Sequence, residues 1–230
     1  MTNSNHSPAP RSYLARAISN QVPRKFLRDQ YNRIKFGENG PISDECLFMN
    51  PNEITRQLIQ QNKKLRRQAS GRVLDGNWDT STVSMTQNTK YKSCKMRYLD
   101  GVEWVDTPIF QRLEREIASG HIPDDCPTPE ALVARYHALD ELWETIQKEG
   151  RLRPKAEMPQ PFRREHGGIL VHIDRNGHGI RSGGGMHRFA IAQLANLAFI
   201  PVQVGVVHKD FVLSGNYQKL RIPPATASLP

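Results

Sequence analysis

The run Ser182-Gly183-Gly184-Gly185-Met186-His187-Arg188-Phe189-Ala190-Ile191-Ala192 sets three glycines ahead of a His-Arg pair and a small apolar stretch. Without a Cβ, such a backbone takes positive φ and approaches a ligand closely. If a helix follows, the N–H groups of its first turn have no partner inside the helix. Those groups and the helix dipole attract an anion. His187 and Arg188 would fall in that first turn, where the dipole disfavours a cation. A bound anion accounts for Arg there, because a guanidinium grips phosphate through two parallel N–H bonds. The chemistry expected is phosphate binding at Gly183, Gly184, Gly185, His187 and Arg188. The alternative is a plain glycine-rich turn with a solvated arginine.

A second group of candidates is acidic. Asp75 and Asp79 flank Gly76 and Trp78 in Gly71-Arg72-Val73-Leu74-Asp75-Gly76-Asn77-Trp78-Asp79, which reads as a short strand and a tight turn. Two carboxylates at a strand end could hold Mg²⁺ beside substrate phosphates. Asp79 could also serve as general base for a hydroxyl that attacks a phosphate. The other reading makes Asp75-Gly76 only a turn and Trp78 a core residue, not a stacking platform for a base. Trp104 and Asp106 read as packing and helix start. His166, His172 and His208 are not at metal-ligand spacing. Cys46, Cys94 and Cys126 are far apart and form no Cys-x-x-Cys pair, so reduced, partly buried thiols are expected.

Helices and strands must carry these residues. Residues 13–36 hold apolar residues at partly helical spacing among six basic ones, and Pro23 interrupts them, so two short helices are expected. Asn50-Pro51-Asn52-Glu53 looks like a capped helix start, with Ile54, Leu58, Ile59 and Leu65 on one face and a basic end at 63–67. Tyr91–Asp100 reads as a mixed polar stretch. Thr107-Pro108 opens a helix that ends at Gly120, and Thr128-Pro129 opens one that runs to Gly150. Residues 151–166 are basic and Pro-broken. Ile169–Ile173 reads as a strand, Asp174–Gly177 as a hairpin-like turn, and a short return strand leads into the glycines. A helix over about 187–196 and a strand over 199–207 complete the pattern. The tail after Asn216 is polar and Pro-rich.

The glycine segment resembles the phosphate-binding segment of the ParB/sulfiredoxin superfamily. ParB-type domains carry a G-x-x-R turn, a helix with small residues and an I-P-V strand. Here these are Gly185-Met186-His187-Arg188, then Ala190, Ala192 and Ala195, then Ile200-Pro201-Val202. Sulfiredoxins carry G-G-C-H-R, matched by Gly184-Gly185-Met186-His187-Arg188. Residues 165–208 are covered. The order Val73–Asp79, Trp104–Thr107 and Gly185–Ala192 is also similar to a branch of ParB-like proteins with DGxWD and GxHRxAIA segments. The resemblance implies an α+β fold: a small mixed sheet with packed helices, a ParB/sulfiredoxin-like core, and helical N-terminal and middle segments. It implies nucleotide phosphates on the glycine turn, and it puts the segment entering the sheet near them. That makes Glu165 a candidate catalytic base, with Arg163 and Arg164 beside it. Met186 stands where a sulfiredoxin has its catalytic cysteine. A thioether is no thiolate nucleophile, which removes sulfinic acid reduction by that route.

The expected organisation is a basic, largely helical region over 1–70, an α+β domain over 71–215 with a helical insertion at about 107–150, and a loose tail over 216–230. The chain has 230 residues, a net charge of +9 and 37% hydrophobic residues. Residues 1–70 hold 12 Lys/Arg against 5 Asp/Glu, leaving 20 against 18 for the rest. A basic arm suits nucleic acid, anionic lipid or an acidic partner, or serves as a solvated face. No run approaches the ~20 apolar residues of a membrane helix, and the N-terminus lacks a secretory h-region, so a cytoplasmic protein is expected. Three functions follow. The first is a nucleotide-dependent phosphotransferase using ATP, ADP or CTP, with Mg²⁺ at Asp75 and Asp79 and a small-molecule or macromolecular acceptor. The second is a nucleotide-gated protein that binds DNA or another macromolecule through residues 1–70. The third is a ParB-like nuclease. No helix-turn-helix pattern follows the core, which argues against a partition role.

Overall fold

The structure is a computed structural model that describes residues 13–59 and 65–224. In chain order the elements are α1 (Tyr13–Ser19), α2 (Val22–Phe36), β1 (Cys46–Met49), β2 (Arg56–Leu58), β3 (Val73–Leu74), β4 (Thr82–Ser84), α3 (Thr89–Tyr98), α4 (Pro108–Ala118), α5 (Pro129–Glu149), β5 (Leu170–Ile173), β6 (Gly179–Arg181), α6 (Met186–Leu194), β7 (Ile200–His208) and α7 (Lys209–Leu213). Short 3-10 turns join several of them.

The fold is α+β, built on one mixed seven-stranded sheet in the order β1-β7-β5-β6-β2-β4, with β3 beside the far end of β7. The β7 strand anchors it. All nine of its residues are buried, which is why its Val-rich sequence runs apolar without alternation. It pairs parallel with β5, antiparallel with β1 and parallel with β3. On the other side β5 pairs antiparallel with β6, β6 parallel with β2, and β2 antiparallel with β4. The main core lies between this sheet and α6, with Phe189, Ile191 and Ala192 against Val171, Val202 and Val204. A second core joins α3, α4 and α5, where Cys94, Ile109, Phe110, Leu113, Leu132 and Tyr136 meet Ala190 of α6. The helices expected over about 107–150 form as α4 and α5 and pack, with α3, on α6.

Four expectations change. The helix expected from Ile54 does not form there. Asn50 caps only a 3-10 turn, accepting from Asn52 N at 2.9 Å, and Arg56–Leu58 then joins the sheet. Pairing with β4 and β6 outweighs the helical spacing of Ile54 and Leu58, and residues 60–64 of the expected helix lie outside the described residues. Residue 70 is accordingly no boundary, because β1 and β2 belong to the same sheet as β5–β7. The stretch 91–100 is largely helical. Asn88 caps α3, accepting from Lys90 N and Tyr91 N, and Cys94 is buried beneath it. The tail is docked as far as a 3-10 turn at Tyr217–Arg221. Tyr217 is buried and donates to Glu45 at 2.7 Å, and Arg221 also pairs with Glu45. Residues 225–230 lie outside the described residues. No described helix is long and apolar enough to cross a membrane.

Candidate anion-binding cleft

The turn between β6 and α6 has the backbone its glycines permit. Gly183 has φ +56° and Gly185, the N-cap of α6, φ +81°. No side chain caps the helix start. The turn is held from both sides, as Gly184 O accepts from Leu170 N at 3.3 Å and Arg181 Nη2 at 2.9 Å. A Cβ on Gly184 would lie 2.3 Å from Arg67 Nη2, and one on Gly185 2.8 Å from Ile169 Cα. Gly185 needs glycine, since its φ is positive and the clash is with backbone, whereas at Gly184 only the end of the flexible Arg67 side chain would have to move.

Cavities flank the turn. The larger, about 900 Å³, is lined by Gly183–Arg188 with Asn88, Thr89, Lys90, Arg112, Asp124 and Arg135. The smaller, about 370 Å³, lies against Gly183 and Gly184 from the side of Arg66, Arg67 and Arg181. Each is of a size that takes a small-molecule ligand.

The charges around the turn are unbalanced. Arg181 is fully buried and donates only to the carbonyls of Leu170 and Gly184, with Nε left unpaired. Burial pushes its pKa down to about 9, and Arg67 adds to the effect. Arg67 donates to Gln203 Oε1 and to Gly168 O at 3.2 Å, and burial lowers its pKa too. Arg188 donates to Arg153 O at 2.8 Å, while its Nε and Nη1 are buried without a partner. Arg135 Nε is likewise buried and unpaired. Among the described residues none of these four guanidinium groups has a carboxylate in bonding range. Guanidinium N–H groups that are buried without an acceptor are costly, and a bound anion is a group that would offset that cost.

The residues expected from the sequence fall in different places. Gly183, Gly184, Gly185 and Arg188 line the larger cleft. His187 lines it as well, but its ring is packed against Tyr136, with the hydroxyl 3.4 Å from Nε2. Burial first, then Lys90, pushes its pKa down to about 3, so it brings no positive charge. Glu165 is 1% exposed and lines neither cavity. Its Oε2 accepts from Lys155 N at 2.7 Å and its Oε1 is unpaired. Burial raises its pKa, while Lys155 and Arg188 pull the other way. It is a counter-charge to Arg188 and does not face the cleft as a base.

Asp75 and Asp79 are elsewhere. Asp79 binds Arg175, just beyond the end of β5, through Nε at 2.9 Å and Nη2 at 2.6 Å. The glycine turn abuts Ile169, just before β5 begins. The strand between them spans roughly 10 Å at ~3.3 Å per residue. The Arg175 hydrogen bonds outweigh burial and hold the Asp79 carboxyl at about 2. Asp75 pairs with Lys209 at 2.9 Å. Both carboxylates are already neutralised by protein cations, so they do not fit a Mg²⁺ site that works on phosphates at the turn. Trp78 packs between His172 and His208, at 6.0 and 6.1 Å between rings, as a partly buried core residue.

Sequence reasoning missed Arg67, Lys90, Arg112, Asp124, Arg135 and Arg181. Arg181 carried a signal, as a charged residue inside an otherwise apolar return strand. Lys90 follows the Asn88 cap, so recognising α3 would have found it. Asp124 is the carboxylate of the larger cleft among its described lining residues, and it bonds Lys90 Nζ. Burial raises its pKa, but Lys90 and then Arg135 outweigh that and leave it below the usual range.

Fold and site together define an α+β protein with a cation-lined cleft at a strand–glycine turn–helix junction. Comparison with known proteins finds no matching family model, no matching curated protein and no matching solved structure.

Proposed function

We propose that the protein binds a nucleoside di- or triphosphate by its phosphates on the Gly183–Arg188 turn, in the manner of the ParB-like domains its sequence resembles. The observation that carries this reading is the set of four guanidinium groups flanking the turn, Arg135 and Arg188 in the larger cleft and Arg67 and Arg181 in the smaller, with no carboxylate in bonding range among the described residues. Arg188 and Arg135 line the larger cleft, and each carries buried N–H with no acceptor. Gly183–Gly185 lets the backbone come within contact distance, and the α6 N-terminus adds its dipole.

The use we infer is phosphoryl transfer. That chemistry is chiefly positioning and charge stabilisation, and it asks for a carboxylate that orients the attacking hydroxyl. Asp124 meets that demand in the cleft, and Asp79 and Glu165 do not. Asp124 would accept the hydroxyl's hydrogen bond, and Lys90 would hold the carboxylate in place.

Calorimetry on the full chain tests the binding, with ATP, ADP and CTP set against their nucleosides. The triphosphates are expected to bind at least a hundredfold more tightly, and Arg135→Met to remove most of that difference. Nucleosides binding as tightly as triphosphates would overturn the assignment. Asp124→Asn is expected to keep triphosphate affinity and lose transfer of the labelled γ-phosphate. Transfer that persists in Asp124→Asn refutes its role.

A further inference from the structure

The helix α2 is docked the wrong way round for a soluble amphipathic helix. Its inward face is polar. Lys25 is buried and bonds Asp44 at 2.8 Å, and Asn32 donates to Pro41 O and Gly71 O, both at 2.7 Å. Asp29 accepts from Ser43 N at 2.7 Å and pairs with Arg163 and Arg164. Arg28 donates to the carbonyls of Gln68 and Ser70.

The outward face is largely apolar: Phe26, Leu27, Tyr31 and Ile34 are 57%, 68%, 56% and 87% exposed, with the exposed Gln30 the one polar side chain among them. At about 100° per residue these four cover an arc of roughly 140°. Arg33 lies just outside one edge of that arc, and Arg24 and Lys35 just outside the other. Leu14 and Ile18 of α1 are exposed alongside, and Arg16 and Tyr13 hold α1 against the Phe162 ring. Asp29 is the one acid in residues 13–36, and it points inward.

We propose that α1 and α2 form a docking face for an anionic lipid surface. An apolar arc with cations along both edges matches a bilayer, whose headgroups take the cations while the outer acyl region takes the side chains. The polar inward contacts fix α2 in this orientation, so the arc is presented without local unfolding. A second copy of the chain fits less well, because a two-fold interface would set the cationic edges of one copy against those of the other with no acid on this face to pair them. A nucleic acid would take the cations and leave Leu27 and Ile34 without a partner.

Co-sedimentation of the full chain tests this, with phosphatidylcholine vesicles and vesicles of phosphatidylcholine with phosphatidylserine. The chain is expected to pellet with the second kind and to be released by raised salt. Arg24→Gln with Lys35→Gln should weaken binding about 25-fold, from about fivefold per surface cation. Phe26→Ser with Ile34→Ser should abolish it; both side chains point outward, so circular dichroism should be unchanged. Arg188→Met should bind vesicles like the parent, which separates this face from the cleft. Several results overturn the proposal: no pelleting with either vesicle; pelleting unchanged in both double variants; a concentration-dependent dimer lost in Phe26→Ser/Ile34→Ser; or duplex DNA binding, in place of vesicle binding, that needs Arg24 and Lys35 but not Phe26 and Ile34.

Discussion

Arg188→Met should move stability and ligand affinity in opposite directions. In the parent, Arg188 makes one hydrogen bond, to Arg153 O at 2.8 Å, and buries Nε and Nη1 unpaired. Each buried unsatisfied donor costs about 1–3 kcal/mol, and a hydrogen bond from a charged group returns about 1.5–3 kcal/mol. Methionine keeps much of the length and brings no polar head. Removing two such donors and losing one bond is therefore expected to leave the ligand-free variant about 2 kcal/mol more stable than the parent, within a range from about 1 kcal/mol less to about 4.5 kcal/mol more. For a chain of this size each kcal/mol moves Tm by roughly 2–4 °C. Losing one buried, charge-assisted grip on phosphate costs about 2 kcal/mol or more, which is a drop in affinity of at least about 30-fold. Thermal denaturation with and without a nucleoside triphosphate, together with calorimetry, reads both quantities. If Met at 188 destabilises the free protein by about 2 kcal/mol and leaves triphosphate affinity within about twofold, Arg188 is a strut for the loop at Arg153 and the reasoning fails.

Acid should unfold the protein early. His172 and His187 are held neutral by burial, each with its pKa lowered to about 3. The unfolded chain protonates both below about pH 6.5 and the folded chain does not, so their contribution is present above that pH and lost as pH falls. Stability should drop by about 3 kcal/mol per pH unit below pH 6, and by half that slope in His187→Leu; urea titrations across the range should show it, and a flat profile would contradict it. Gly185→Ala should cost at least about 2 kcal/mol, because its φ is +81° and the new Cβ meets backbone 2.8 Å away. Gly184→Ala should spare stability, since its Cβ meets only the flexible end of Arg67, yet weaken triphosphate binding; equal stability losses for the two would tell against this distinction. Asp79→Asn should lose about 1–3 kcal/mol through the Arg175 hydrogen bonds and leave triphosphate affinity unchanged. A tenfold weaker affinity would return Asp79 to the site.

Local signals were legible where local chemistry decides. Thr128, Pro129 and Gly150 bracket α5 as read, with Thr128 accepting from Ala131 N at 3.2 Å and Gly150 left-handed. The glycine turn, α6 and β7 stand where their residues put them, because positive φ, small side chains and an unbroken Val-rich run each leave one local solution. The strand at Arg56–Leu58 was not legible. Its three residues carry no period of their own, and the partners that make them a strand lie more than twenty and more than a hundred residues away. The helix α3 was missed for a different reason: its Asn88 cap and the spacing of Tyr91, Cys94 and Tyr98 are local signals masked by intervening lysines.

The sequence by itself determined the α+β composition, the helices α4 and α5 and the backbone of the Gly183–Gly185 turn that opened the case for an anion. Only the tertiary structure decided which charges meet that turn. Arg67, Arg135 and Arg181 come from three separate parts of the chain, and Asp79, read as a partner of the phosphates, is bound to Arg175 beyond the far end of β5. Spacing along a chain governs which residues share a turn or a helix face. Whether a charge is paired, buried or left to a ligand depends on burial and on contacts across the sheet, which no local pattern encodes.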